Sequence, residues 1–145
     1  MAMFAERGFD RRSVETERGR VQLYALTPTV QVVVVSGHMD PGMAEAIVTF
    51  STDRMSRTPT KQHVFYDWLD MTSYDSACRS RLTTFSKEHL DRVAEVHIAQ
   101  SSKLVAMGVQ VANIALGSKI ETHADRASLE RALARVYSEP GHARR

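Results

Sequence analysis

Cysteine is nearly absent from this chain. Cys78 is alone among 145 residues, so neither an intramolecular disulfide framework nor a cage of paired thiolates can form. A lone thiol suits a reducing compartment, and the cytoplasm is the expected location. Long hydrophobic runs are missing too. Stretches such as residues 32–35 are strand-sized, and the beginning of the chain, with Glu6, has no apolar segment of signal-peptide length, so neither export nor membrane insertion is expected. An excess of one charge is also lacking. The 19 basic and 17 acidic residues leave a net charge of +2 and are interspersed, which gives no electrostatic footprint for nucleic acid. Glycine-rich phosphate loops are absent, because Gly37-His38-Met39-Asp40-Pro41-Gly42 has the spacing of neither a P-loop nor a dinucleotide fingerprint.

Hydrophobic residues make up 43% and charged residues 25% of the chain, a balance that fits one globular domain with its own core. Residues 1–20 are rich in Arg and Glu, with Phe4, Phe9 and Val14 scattered among them. They read as a loosely held N-terminal arm that could dock as a short helix. The domain is expected over residues 21–137, with a C-terminal tail at 138–145. Val21, Leu23 and Ala25 alternate as in a half-buried strand, and residues 31–36 are β-branched nearly throughout, as in a strand buried on both faces. Asp40-Pro41 opens a helix reaching about Met55, with Met43, Ile47 and Phe50 on its inner stripe.

Residues 63–67 form the third expected strand. A second helix follows, capped by Asp75 or Ser73, with Cys78, Leu82, Phe85 and His89 on one face. Residues 93–98 read as the fourth strand. Ser101-Ser102 caps a third helix bearing Leu104, Val105, Met107, Gly108, Val111, Ala112 and Ala115, and Gly117 ends it. Residues 120–123 form a fifth strand, and Asp125 caps a last helix with Leu129, Ala132, Leu133 and Val136 inward. The resulting α/β order, β-β-α-β-α-β-α-β-α, predicts a mostly parallel five-stranded sheet with about four helices covering both faces.

Chemistry-bearing residues are scattered. His38, His63, His89, His97, His123 and His142 form no His-x-x-x-His or Glu-x-x-His pair, so no metal site is expected from spacing. His38 and His123 are the pair to inspect, if both lie at strand ends on one sheet edge. Arg79 and Arg81 near Cys78 could lower the thiol pKa, but its place on an apolar stripe favours a buried, inert group. Asp67, Asp70 and Asp75 could converge at the C-terminal edge of the sheet, where open α/β folds bind ligands. Trp68 and Tyr74 flank the same loop and are the aromatics expected to be partly exposed, as interface anchors are, although the reading preferred by a small margin has Trp68 covering the end of the core and Tyr74 packing on a helix.

The element order resembles the STAS domain, the fold of bacterial anti-sigma-factor antagonists, over most of residues 21–136. The likeness is carried by Ser36-Gly37-His38-Met39, Asp67-Trp68 with Tyr74-Asp75, and Met107-Gly108-Val109 to Leu116-Gly117, and is nearest to a divergent STAS-like branch with a lipid-transfer flavour. In the antagonists an aspartate ends the third strand, and eight residues on an Asp-Ser-Ser-Gly motif starts the next helix and is phosphorylated on its second serine. Here Asp67 is followed at that spacing by Asp75, Ser76, Ala77 and Cys78. Alanine stands at the phosphorylated position, where no phosphate ester can form.

The resemblance implies a non-enzymatic regulatory module without a cofactor. Its protein partner, such as a regulatory kinase or another signalling protein, would be met through Asp67, Trp68, Tyr74, Asp75, Ser76 and Arg79, with a homodimer left open. The alternative is a small-ligand or lipid-binding domain with an apolar pocket between the third helix and the sheet. An enzyme acting through Asp67 or Cys78 is a minor third reading.

Overall fold

The run Val32-Val33-Val34-Val35 has little choice but extended structure, because branching at Cβ crowds a helix and suits a pleated surface. In the computed structural model, which describes residues 10–138, it lies in the middle of the sheet. The strands are β1 (Asp10–Glu15), β2 (Gly19–Thr27), β3 (Val30–Met39), β4 (Gln62–Tyr74), β5 (Val93–Gln100) and β6 (Ile120–His123). The helices are α1 (Pro41–Arg57), α2 (Ser76–Glu88), α3 (Lys103–Ala115) and α4 (Arg126–Ser138), with a 3-10 turn at Leu90–Arg92. The expectations for Phe4, Phe9 and most of the C-terminal tail lie outside the described residues.

The strands lie in the order β1-β2-β3-β4-β5-β6. The first two neighbouring pairs are antiparallel and the other three parallel. The sheet is therefore six-stranded and mixed, not five-stranded and mostly parallel. The extra strand, β1, falls within the stretch read as an arm. Its sequence, Asp-Arg-Arg-Ser-Val-Glu, leaves five of six residues exposed, so it buries no alternating face that a hydrophobic pattern would reveal. Backbone pairing to β2, from Asp10↔Ala25 to Glu15↔Arg20, holds it at the edge.

β3, β4, β5 and β6 are neighbours in chain order, so right-handed crossovers put all three connecting helices on the same face. α1, α2 and α3 accordingly share one core with Val33, Val35, Trp68 and Ile98. α4 follows the edge strand β6 and covers the other face, packing Leu129, Leu133 and Val136 on Tyr24, Val32, Phe65 and Ala99. No helix among the described residues is long and apolar enough to cross a membrane.

Three of the four helix starts among the described residues are capped by a local side chain. Asp40 accepts the Met43 N–H at 2.9 Å with Pro41 in the first turn, Ser102 accepts from Val105, and Asp125 accepts from Ser128 at 2.8 Å. Two fully buried glutamines are also satisfied. Gln31 Nε2 donates to Gln62 Oε1 at 2.9 Å, Ser51 donates to Gln31 Oε1, and Gln62 Nε2 donates to the Pro28 carbonyl. Such a network joins β3, β4 and α1 without leaving these amide groups unpaired.

Phe65 is fully buried beneath α4 and stacks on His97 with ring centroids 4.7 Å apart. Phe65→Ala should cost about 3–5 kcal/mol in denaturant unfolding, the range for deleting a buried aromatic ring. Val14→Thr on the exposed edge strand should change stability by less than about 0.5 kcal/mol. Equal losses at the two positions would contradict the two-faced core.

Candidate functional site

The segment read as a loop after Asp67 is strand. β4 continues to Tyr74 because β3 continues beside it, through Ser36↔Asp70, Gly37↔Met71, His38↔Ser73 and Met39↔Tyr74. Two register shifts, between Val34 and Ser36 and between Gly37 and His38, each give β4 one extra residue. A bulge of this kind re-aims the side chains beyond it. Trp68, Met71 and Tyr74, three residues apart rather than two, thus all line one cleft on the helix side of the sheet. Gly37 sits at the second shift with φ +75°, a conformation that strains any residue with a Cβ.

The cleft lies between the sheet, α2 and α3. Met39, Tyr66 and Ile98 contribute from the strands, Cys78 and Leu82 from α2, and Val105 and Val109 from α3. It holds about 60 Å³ of free volume and is open on one side, room for several waters at roughly 10–15 Å³ each. Leu82, expected in the core, is half-buried at this cleft, and its neighbour on the stripe, His89, is half-buried with Nδ1 2.9 Å from the Phe85 carbonyl oxygen. Gly108 makes the close approach of α3 possible, since a Cβ there would overlap the Tyr74 hydroxyl.

Trp68 is 8% exposed, so it covers the end of the core, the preferred of its two expected roles, and is not an exposed anchor. Its indole Nε1 is buried with no hydrogen-bond partner among the described residues. Burial pushes the Tyr66 hydroxyl up to about 12, which keeps it a neutral donor at ordinary pH. Arg79, Thr83 and Ser86 are half-buried and bring polar groups to the apolar lining. The arrangement suits an apolar body that carries a hydrogen-bond acceptor.

The three aspartates do not converge. Asp67 is buried on the α4 side, where Arg126 Nε donates to its Oδ2 at 2.8 Å and the Leu69 N–H donates to its Oδ1. Arg126 also reaches Asp70, at 3.4 Å. Asp75 belongs to a different group. It holds the N-cap position of α2 but makes no side-chain cap bond. Its carboxylate lies 3.1 Å from His38 Nε2, while His38 Nδ1 lies 2.7 Å from Ser73 Oγ. The end of β3 is thereby tied to the start of α2, together with the Asp75 N–H and the Cys78 thiol, both donating to the Met39 carbonyl. Spacing missed Ser73 as a partner of His38 because the two meet only through the shifted register.

Ser76 and Ala77 are exposed on the first turn of α2. Arg81 turns away to Glu45, with Nε 2.6 Å from the carboxylate. Burial, reinforced by the Asp75 charge, pushes the Cys78 thiol up, so neighbouring arginines do not activate it. Of the six expected binding residues, Tyr74 and Arg79 line the cleft beside the buried Trp68, Asp75 and Ser76 stand at the start of α2 outside its lining, and Asp67 is on the opposite face of the sheet.

α3 departs from expectation as well. Val105, Gly108 and Val109 face inward, but Leu104, Met107, Val111 and Ile114 are 49% to 76% exposed. A helix lying on a sheet buries one stripe, and α3 is apolar on two.

His38 and His123 do not meet. His123 instead faces His97 beneath α4, with its Nε2 3.0 Å from His97 Nδ1. Burial, followed by the nearby His97, lowers the His123 pKa. The row continues to Glu95, which lies against both His97 and His63 and accepts from Arg135. Burial raises the Glu95 pKa, but hydrogen bonds from Arg135, His97 and His63 outweigh it and lower the value to about 2.

No protein-family model matches the chain, and no curated protein matches it by sequence. Solved structures do match. The unphosphorylated form of the anti-sigma-factor antagonist SpoIIAA superposes with a TM-score of 0.61 at 15% identity, covering 79% of this chain and 96% of that one. An uncharacterized protein of the DUF3478 family with a SpoIIAA-like fold, from Shewanella loihica PV-4, gives 0.54 at 10% identity over 87% and 94%. The chain has the STAS-like fold of these proteins, as its element order led us to expect.

The Asp67–Arg126 pair is asymmetric, since Asp67 is 2% and Arg126 43% exposed. Arg126→Ala leaves a buried carboxylate with only the Leu69 N–H and should cost about 3 kcal/mol, whereas Asp67→Asn leaves an arginine that water can solvate and should cost less. Thermal unfolding of both variants checks the order. For Cys78, the raised pKa and burial predict slow labelling by a disulfide reagent in the folded protein and fast labelling after unfolding. Native labelling as fast as that of the unfolded chain would contradict the burial.

Proposed function

We propose that the chain is a non-enzymatic regulatory module of STAS-like fold that responds to a small amphipathic ligand held in the cleft between the sheet, α2 and α3. The observation that carries this reading is an apolar cleft that retains free volume and is lined by Trp68, whose buried indole N–H has no hydrogen-bond partner among the described residues. An unsatisfied buried donor costs about 1–3 kcal/mol, which a ligand acceptor would recover. The lining suits an alkyl or aromatic terminus. Arg79, with Thr83 and Ser86, supplies donors for a carboxylate or similar head group.

A second reading is protein recognition by the same region, through Tyr74, Asp75, Ser76 and Arg79 together with α3. It is supported by the exposed stripe of Leu104, Met107, Val111 and Ile114, whose spacing places them on one helix face. The fold of an anti-sigma-factor antagonist is compatible with it. Ligand in the cleft and partner on α3 are linked in this scheme, because α3 forms both the cleft wall and the exposed stripe.

Trp68 is the chain's only tryptophan, so its fluorescence reports directly on the cleft. Titration with decanoate should give a saturable change in emission. Ala112→Phe, which fills the cleft from α3, should weaken binding at least about tenfold, a loss of about 1.4 kcal/mol. Arg79→Ala should weaken decanoate more than decanol. A folded wild-type protein whose emission does not change up to about 1 mM decanoate would sink the ligand reading for this class of ligand.

A further inference from the structure

We propose that His97, His123 and Glu121 form a binding site for a divalent transition metal ion, zinc before others, with the fourth coordination position open to solvent. The site lies under α4, on the sheet face opposite the cleft, and does not depend on the ligand reading. Its parts come from the pairing of two short segments. His97 on β5 is in register with Glu121 on β6, and His123 follows two residues on, so both β6 side chains fall on the face of His97.

His97 Nδ1 lies 3.0 Å from His123 Nε2 and 3.1 Å from Glu121 Oε2, and the three ligand atoms all fall within 4.8 Å of one another. Tetrahedral coordination at about 2.0–2.1 Å sets ligand atoms about 3.4 Å apart. An ion therefore requires the two closest pairs to open by a few tenths of an ångström and the third, His123 with Glu121, to close by up to about 1.4 Å from a separation within 4.8 Å. Two imidazoles and one carboxylate are a donor set that zinc takes with a fourth site open.

The surrounding groups are those that orient metal-bound histidines. Glu95 Oε1 lies 3.2 Å from His97 Nε2 and can accept from it, which would free the Nδ1 lone pair for an ion. Ser128 Oγ lies 2.6 Å from His123 Nδ1 and can accept from it, freeing the Nε2 lone pair. A carboxylate or hydroxyl on the far nitrogen of each ring is the usual outer support of a histidine–metal bond. His97 is further fixed by stacking on Phe65. Glu121, 66% exposed against 1% for His97, marks the side from which an ion enters.

Without a metal, the two ring nitrogens must share a proton as an N–H···N hydrogen bond, and that is the competing account. The full chain, stripped with chelator, should bind one zinc per molecule by calorimetry, and cobalt(II) in its place should give the intense visible bands of four-coordinate nitrogen–oxygen ligation. Replacing His97 could unfold the core, so the deciding variants are at the accessible edge. His123→Ala and Glu121→Gln should each weaken zinc at least about tenfold, and zinc should raise the melting temperature of wild type but not of the double variant. His38→Ala and His142→Ala should bind zinc as wild type does. Zinc affinity unchanged in the double variant, or no saturable binding up to about 1 mM zinc, would leave only the hydrogen-bonded pair and overturn the proposal.

Discussion

Beyond Val34 and Asp67 the parallel ladder of β3 and β4 absorbs two extra residues and keeps pairing as far as Met39 and Tyr74. Most of the cleft follows from that. An unbroken ladder would send alternate residues to alternate faces, so Trp68 and Met71 could not share one. With the two shifts, β4 presents an indole, a thioether and a phenol to the same side, and α2 begins close to the end of β3. The His38–Ser73–Asp75 group fastens this junction and accounts for the missing side-chain cap on α2, because the Asp75 carboxylate is turned to the histidine.

Topology separates the two candidate sites. Three successive same-handed crossovers place α1, α2 and α3 together, so the face with three helices has a seam where α2 and α3 meet over the sheet. α4 alone covers the reverse face. There Glu95 and His97 on β5, with Glu121 and His123 on the edge strand β6, form one row of polar groups. The buried carboxylate of Asp67, held by Arg126 from the first turn of α4, anchors the helix on that face.

α3 is the element in which stability and function pull apart. Its inner stripe closes the cleft with Gly108 fitted to Tyr74, and its outer stripe leaves large apolar side chains in water. Isolated exposed apolar residues are ordinary, whereas four on one helix face form a patch that favours association.

Local chemistry was legible in the amino-acid sequence. The β-branched run of β3, the caps Asp40, Ser102 and Asp125, and the inner stripes of α1 and α4 each depend on residues within one or two turns of each other. The order of these elements was enough to suggest the STAS-like fold. β1 escaped notice because it is held by backbone bonds at the sheet edge, which leave no hydrophobic pattern. The strand after Asp67 escaped because bulges break the alternation by which a strand is recognised. Asp67 with Arg126, His38 with Ser73, and His97 with His123 are separated by 59, 35 and 26 residues. Sequence supplied those side chains, but register between distant strands decided which of them meet, because a shift of one residue sends a side chain to the other face.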